Sequence, residues 1–219
     1  MHGRSTEARD VPQPGKRGHA AIRSGGDQAL SRVPAATLLS VSRLILINGA
    51  PGSGKSTVAS ELAARHRMML ALDVDVLKHS LGRWAEDTTE SGLQARRLAL
   101  AATREHLKAG YDVVLGQYLS RVEFIEALEA LAVEQRAQFH EFVLTLSVRD
   151  LAARLAQRQA APSRPEHAIN NRLVVSSHAE ELVASLAGIL EHRTNATGVD
   201  ATGSPNDTVA RIESAITGN

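Results

Sequence analysis

The pattern G-x-x-x-x-G-K-[ST] occupies residues 49–56, directly after the apolar run 44–47. Its glycines leave the backbone bare, so successive N–H groups can close around phosphate oxygens that side chains would keep away. Lys55 adds a cation for the β and γ phosphates, and Ser56 offers a hydroxyl to Mg²⁺. A serine and glycine turn that happens to carry a lysine is the alternative, but a strand before the pattern and a helix after it favour a nucleoside triphosphate site. The residues predicted to hold the nucleotide are Gly49, Ala50, Pro51, Gly52, Ser53, Gly54, Lys55, Ser56 and Thr57.

The length and composition fit one α/β domain behind a tail. The chain has 219 residues, of which 43% are hydrophobic, enough to bury one sizeable core. We expect residues 1–42 to be a disordered tail and residues 43–219 to form the domain. The chain has no cysteine, which excludes disulfides, thiolate metal sites and a cysteine nucleophile. It also has no apolar run long enough to span a membrane and no secretory h-region, so we expect a cytoplasmic protein without membrane contact.

The tail is more basic than the rest of the chain. Residues 1–42 carry six Lys and Arg against three acidic residues, whereas the whole chain has a net charge of +1. Such a tail can bind nucleic acid or an anionic surface, and incidental charge on a disordered leader is the alternative. The sequence leaves the oligomeric state open.

Apolar runs alternate with helical patterns along the rest of the chain, which predicts a parallel sheet covered on both faces. The predicted strands cover residues 44–47, 68–72, 111–115, 142–146 and 197–201. Three predicted helix starts carry a cap: Ser120 with Glu123, Ser147 with Asp150, and Ser204 before Pro205. The fold class is therefore α/β, a three-layer P-loop NTPase fold whose five-stranded parallel sheet is flanked by helices.

Two carboxylates, Asp73 and Asp75, follow the second predicted strand. Ligands bind at the carboxyl edge of open parallel sheets, so acidic residues there are candidates for the site. Either carboxylate can bind Mg²⁺ through water. Asp75 can also cap a helix that begins at residue 76.

Four local matches make the chain resemble small P-loop kinases, the class that includes chloramphenicol phosphotransferase, polynucleotide 5′-hydroxyl kinases, gluconate kinases and zeta-type toxins. The matches are the phosphate loop at residues 49–56, Asp75 after the second strand, the corner 118–121 after the third strand, and Arg154 with Arg158 after the fourth. The resemblance covers residues 43–217 in element order, and the phosphate loop is its specific part.

The resemblance implies roles for individual residues. Asp75 would face the acceptor hydroxyl and take its proton as the γ-phosphoryl is transferred. Arg154 and Arg158, four residues apart on one helix face, would lead into a lid and neutralise charge on the transferring group; an arginine-rich solvent face is the alternative. Arg121 is a candidate for phosphate or acceptor contact. Lys78 either meets a negative group on the acceptor or is a solvated helix lysine.

One departure concerns the third strand, where many P-loop enzymes carry an acid that holds Mg²⁺ through water. Here Leu115 is followed by Gly116 and Gln117. Either Asp73 or Asp75 supplies that carboxylate, or Mg²⁺ is held by Ser56, phosphates and water, or the chain is impaired as a catalyst. The missing acid also argues against an AAA+ motor, and the lack of an N-K-x-D motif argues against a regulatory GTPase.

The predicted function is transfer of the γ-phosphoryl of ATP, with Mg²⁺, to a hydroxyl of a small molecule or of a nucleic-acid end. On this hypothesis nucleic acid is a partner only as an acceptor. An ATP-binding protein without phosphotransfer, acting as a sensor or a sequestering resistance factor, is the alternative. A nucleic-acid-binding module driven by the basic tail is a third possibility.

Overall fold

The computed structural model describes residues 41–161 and 174–218. The predicted tail lies outside the described residues, apart from its last two positions, so the domain boundary at residue 42 stays a prediction. The strands are β1 (Arg43–Asn48), β2 (Leu70–Leu72), β3 (Val113–Gln117), β4 (Gln138–Thr145) and β5 (Thr197–Asp200). The helices are α1 (Lys55–Arg65), α2 (Val74–His79), α3 (Thr88–Lys108), α4 (Glu123–Glu134), α5 (Val148–Ala160), α6 (Ala179–His192) and α7 (Pro205–Thr217), with a 3₁₀ turn (Ser176–His178) before α6.

The five strands form one sheet in the order β2-β3-β1-β4-β5, and every pair is parallel. β1 lies at the centre, where Leu46 pairs with Leu115 of β3 on one side and with Glu141 of β4 on the other. Because all strands run the same way, their carboxyl ends meet at one edge, which is the ligand edge of such sheets.

Alternate residues of the strands face two separate cores. Leu44 and Leu46 pack with helices α3, α4, α5 and α6 on one face, whereas Ile45 and Ile47 pack with α1 and α7 on the other. This alternation follows from the two-residue period of a strand, and it explains why β1 is apolar at consecutive positions. The predicted three-layer α/β fold with a five-stranded parallel sheet is confirmed.

Two of the three predicted helix caps form. The Ser147 hydroxyl accepts the amide of Asp150 at 3.1 Å, and Ser204 forms a capping box with Asp207. The prediction for Ser120 and Glu123 was wrong, because α4 begins two residues later, with Val122 at the cap position and no side-chain cap.

Three strand boundaries also differ from the prediction. β2 begins only at Leu70, because Met68 adopts a φ of 59° that no strand allows. β3 continues to Gln117, and β4 already begins at Gln138. Among the described helices, none is long and apolar enough to cross a membrane.

Candidate nucleotide and acceptor site

The loop after β1 has the backbone geometry that its glycines allow. Gly52 and Gly54 have φ values of 86° and 92°, which residues other than glycine adopt only with strain. A Cβ atom at Gly49 would lie 2.5 Å from the Ser53 hydroxyl oxygen, so this close approach also requires glycine. The amide of Ser53 donates to the Ala50 carbonyl at 3.0 Å and closes the turn.

Helix α1 begins directly after this loop, with Gly54 at its N-cap position and no side chain bonded to its first amides. The first turn of α1 carries no acidic residue. Uncapped amides and the positive dipole end of a helix favour an anion. Lys55, Ser56 and Thr57 lie in this first turn.

The Ser56 hydroxyl donates to the Asp73 carboxylate at 3.1 Å. Asp73 lies between β2 and α2, so the carboxyl ends of two strands meet at this hydrogen bond. The same carboxylate accepts the backbone amide of Asp75 at 3.0 Å and thereby caps α2. A hydroxyl and a carboxylate in contact are oxygen ligands suited to Mg²⁺ or to its water shell.

The suggestion that Asp75 caps a helix starting at residue 76 was wrong. The helix starts at Val74, and Asp73 is the cap. The chain therefore turns at Asp73, and Asp75 lies in the first turn of α2, where it is half-buried. Among the described residues, none donates a hydrogen bond to the Asp75 carboxylate, which leaves its oxygens available to a ligand.

The end of β3 explains why no acid is present at residue 116. A Cβ atom at Gly116 would lie 3.0 Å from the carbonyl oxygen of Lys55 and 3.3 Å from Ala59, because the first turns of α1 pack directly on this strand. The next residue, Gln117, accepts the amide of Gly49 with its carbonyl at 3.3 Å. The sequence shows that the acid is missing, and the structure adds that a side chain at Gly116 would crowd the first turns of α1.

The corner after β3 is held by the buried side chain of Asn48, which sequence reasoning missed. Its amide nitrogen donates to the Leu119 carbonyl, and its amide oxygen accepts the Leu119 amide, both at 2.9 Å. This reciprocal pair fixes the chain that carries Arg121.

A cavity of about 440 Å³ opens beside this corner, between α3 and the start of α4. Arg121 lines it together with Arg96 of α3, whose guanidinium lies 5.8 Å from the centre of the Phe124 ring. Two arginines make the cavity attractive to an anion, and its apolar wall suits a ring. Sequence reasoning found Arg121 but missed Arg96, since no local motif marks it. The cavity is lined by Leu93, Arg96, Tyr118, Leu119, Ser120, Arg121, Glu123 and Phe124.

Lys78 lies near Trp84, with its ammonium 5.5 Å from the centre of the indole ring. Trp84 also contacts the His79 ring and lines a different cavity, between the α2–α3 loop and α3. Tyr118 and Phe124 line the cavity with the arginines, whereas Trp84 does not.

Arg154 of α5 contacts the phosphate loop directly. Its guanidinium donates to the Ser53 carbonyl at 3.1 Å, to the Ala201 carbonyl at 2.6 Å and to the Thr202 carbonyl at 3.3 Å. Arg158 lies one turn further along α5, where burial lowers the pKa of its guanidinium. A charge-stabilising role for the two arginines stays a prediction.

These elements define a P-loop NTPase fold with its phosphate loop at the carboxyl edge of the sheet. The family described as "AAA domain" matches residues 44–177, and the chain belongs to that family of P-loop proteins. The prediction that it is not an AAA+ motor stays a prediction.

The chain is similar to an adenylate kinase, a gluconokinase and a tunicamycin resistance protein. An adenylate kinase from Synechococcus sp. (strain WH7803) is 34% identical over 185 residues, which cover 80% of this chain and 98% of the relative. A solved gluconokinase from Sinorhizobium meliloti 1021 has a TM-score of 0.52 at 19% identity, covering 81% of this chain and 97% of that one. The tunicamycin resistance protein of Deinococcus radiodurans has a TM-score of 0.55 at 18% identity, covering 80% and 95%. The two structures confirm the fold, and the predicted likeness to small P-loop kinases is confirmed.

Proposed function

We propose that the protein transfers the γ-phosphoryl group of ATP to a hydroxyl of its acceptor. The observation that carries the proposal is the contact between Ser56 and Asp73. It joins a hydroxyl and a carboxylate, the oxygen ligands that Mg²⁺ prefers, at the start of helix α1, whose first amides have no side-chain cap. The fit to Mg²⁺ rests on this donor set.

Each residue then has a role. The amides of residues 49–57 and the Lys55 ammonium bind the polyphosphate, and Ser56 and Asp73 hold Mg²⁺ directly or through water. When bound, Mg²⁺ neutralises charge that develops on the phosphates. Asp75 orients the acceptor hydroxyl and accepts its proton. Arg158 offsets charge on the transferring group, and Arg121 with Arg96 attracts a negative group on the acceptor.

A second candidate has specific support. The adenylate kinase relative acts, by its name, on a nucleotide that accepts phosphoryl through a phosphate oxygen, and the two arginines beside the cavity suit a phosphate. A phosphate oxygen is already ionised at neutral pH, so phosphoryl transfer to a nucleoside monophosphate needs no general base. The two candidates therefore differ in whether Asp75 is required.

An acceptor screen tests the proposal. The protein is incubated with Mg²⁺, ATP labelled in the γ-phosphate, and separate pools of sugars, nucleosides, antibiotics, oligonucleotide ends and nucleoside monophosphates, and mass spectrometry identifies the labelled product. We expect label on a hydroxyl. Label only on a nucleoside monophosphate would support the second candidate, and tight ATP binding without label on any pool would support a binding protein without phosphotransfer.

A further inference from the structure

Arg154 joins two segments that are far apart in the chain. Its guanidinium bonds the Ser53 carbonyl, 101 residues away, and the carbonyls of the loop that follows β5, 47 and 48 residues away. All three partners are backbone oxygens. A planar guanidinium with several fixed donors can serve such a set at once, whereas a lysine ammonium is a single point charge.

The bond to Ser53 fixes the orientation of one peptide unit in the phosphate loop. The carbonyl of Ser53 and the amide of Gly54 belong to the same planar trans unit, so they point in opposite directions. Since Arg154 of α5 bonds the Ser53 carbonyl, the Gly54 N–H points away from that guanidinium. A carbonyl bonded to a cation also polarises its peptide, which strengthens the N–H as a donor.

The loop after β5, whose carbonyls accept from Arg154, is itself held by further hydrogen bonds. The Asp200 carboxylate accepts the amide and the hydroxyl of Thr202 at 3.0 Å and 2.9 Å, and these bonds hold the pKa of Asp200 below its usual value. Arg211 of α7 donates to the Asp200 carbonyl at 2.7 Å. Arg154 is therefore anchored on a loop that is itself tied to β5 and α7.

We propose that Arg154 is a positioning residue: it orients the Ser53–Gly54 peptide so that the phosphate loop is preformed for a polyphosphate. This inference rests on the proposed function, because it assumes that the loop binds a triphosphate. It differs from the lid role, since Arg154 acts through the backbone and does not itself touch the nucleotide.

The test measures binding of three probes, Mg·ATP, Mg·tripolyphosphate and adenosine, by titration calorimetry. The variants are R154M, which removes the bridge, R154K, which keeps the charge, and R149M, an exposed arginine of the same helix, as the matched control. Loss of a charge-assisted hydrogen bond predicts that R154M binds Mg·ATP and Mg·tripolyphosphate about tenfold to a hundredfold more weakly, by a common factor. R154K should lose about tenfold, because an ammonium cannot hold both segments. R149M should bind like the wild type.

Three results would overturn the inference: unchanged affinity of R154M, full recovery in R154K, or an equal loss of adenosine affinity, which would indicate contact with the base. Thermal melting shows whether each variant is folded. Should R154M unfold, the R154K comparison decides alone. Failure of the wild type to bind either polyphosphate would instead refute the proposed function.

Discussion

The phosphate loop and the arginine-lined cavity after β3 are built from different parts of the chain, although both follow central strands of the sheet. The loop is eight consecutive residues whose glycines set the backbone conformation. Its backbone amides are the groups expected to bind the phosphates. The cavity is lined by side chains from α3 and the corner after β3, and its charges come from Arg96 and Arg121, which are 25 positions apart.

This difference separates what is general in the protein from what is particular to it. A backbone nest binds the polyphosphate whatever the acceptor, and changes there should affect the binding of every nucleoside triphosphate. Side chains that line a cavity choose among acceptors, and changes there should affect one substrate only. Asp73 contacts Ser56 at the start of α1, and Asp75 lies in the first turn of α2. On the proposed function, these two carboxylates would link nucleotide binding to acceptor chemistry.

The largest effect is expected from Asp75→Asn. Asparagine keeps the size but cannot take a proton, so turnover on a hydroxyl acceptor should fall by about 10²–10⁴ if Asp75 is the general base. Affinity for Mg·ATP should stay within a few fold, because Asp75 lies beyond the phosphate loop. Steady-state kinetics with calorimetry measures both. Wild-type turnover on a hydroxyl would refute the base, whereas wild-type turnover on a nucleoside monophosphate fits the second candidate.

Asp73→Asn should affect the metal. Asparagine caps helices as well as aspartate does, so α2 should remain intact while the charge beside Ser56 is lost. We expect the Mg²⁺ concentration that gives half-maximal ATP binding to rise about tenfold to a hundredfold. Titration of Mg²⁺ at fixed ATP measures it, and an unchanged midpoint would remove Asp73 from the metal site.

Arg121→Met tests the acceptor side. Loss of one charged hydrogen bond should raise the KM of an anionic acceptor about tenfold and leave the KM of ATP unchanged. The matched control is Arg97→Met, because Arg97 is exposed on α3 and does not line the cavity. An increase in the KM of ATP with Arg121→Met would mean that the two regions are not separate.

Two glycine substitutions give the smallest effects and compare the two regions in stability. Gly54 has a φ of 92°, so Gly54→Ala should lower the free energy of unfolding by about 1–3 kcal/mol. Gly92 lies within α3, and nothing lies within 4 Å of a Cβ atom built there. Gly92→Ala should therefore raise the free energy of unfolding by about 0.5–1 kcal/mol. Urea unfolding measures both free energies of unfolding. If both substitutions changed that free energy in the same direction, the assignment of backbone strain to the loop would be contradicted.

The sequence was sufficient for the loop and the sheet because both are local patterns. The phosphate loop is a run of residues with its own backbone requirements, and the strands are apolar runs between helices. The predicted cap at Ser120 did not form, and the residue before it, Leu119, is bonded to Asn48, 71 positions earlier. A local pattern cannot report such a distant hydrogen bond.

The rest of the site depends on distant contacts of the same kind. Arg96 lines the cavity only because α3 packs beside the start of α4, and Arg154 binds the phosphate loop only because β5 places Ala201 and Thr202 next to α5. From the sequence, either Asp73 or Asp75 could supply the carboxylate that holds Mg²⁺. The contact between Asp73 and Ser56 favours Asp73 for this role.

Calorimetric titration of Mg·ATP into the wild type and into Lys55→Ala tests most directly whether the phosphate loop binds a triphosphate. We expect saturable binding of one nucleotide per chain to the wild type, and affinity lower by about 10²–10³ in the variant, because the Lys55 ammonium is proposed to bind the β and γ phosphates. Absence of binding to the wild type, or equal affinity in the variant, would contradict this expectation.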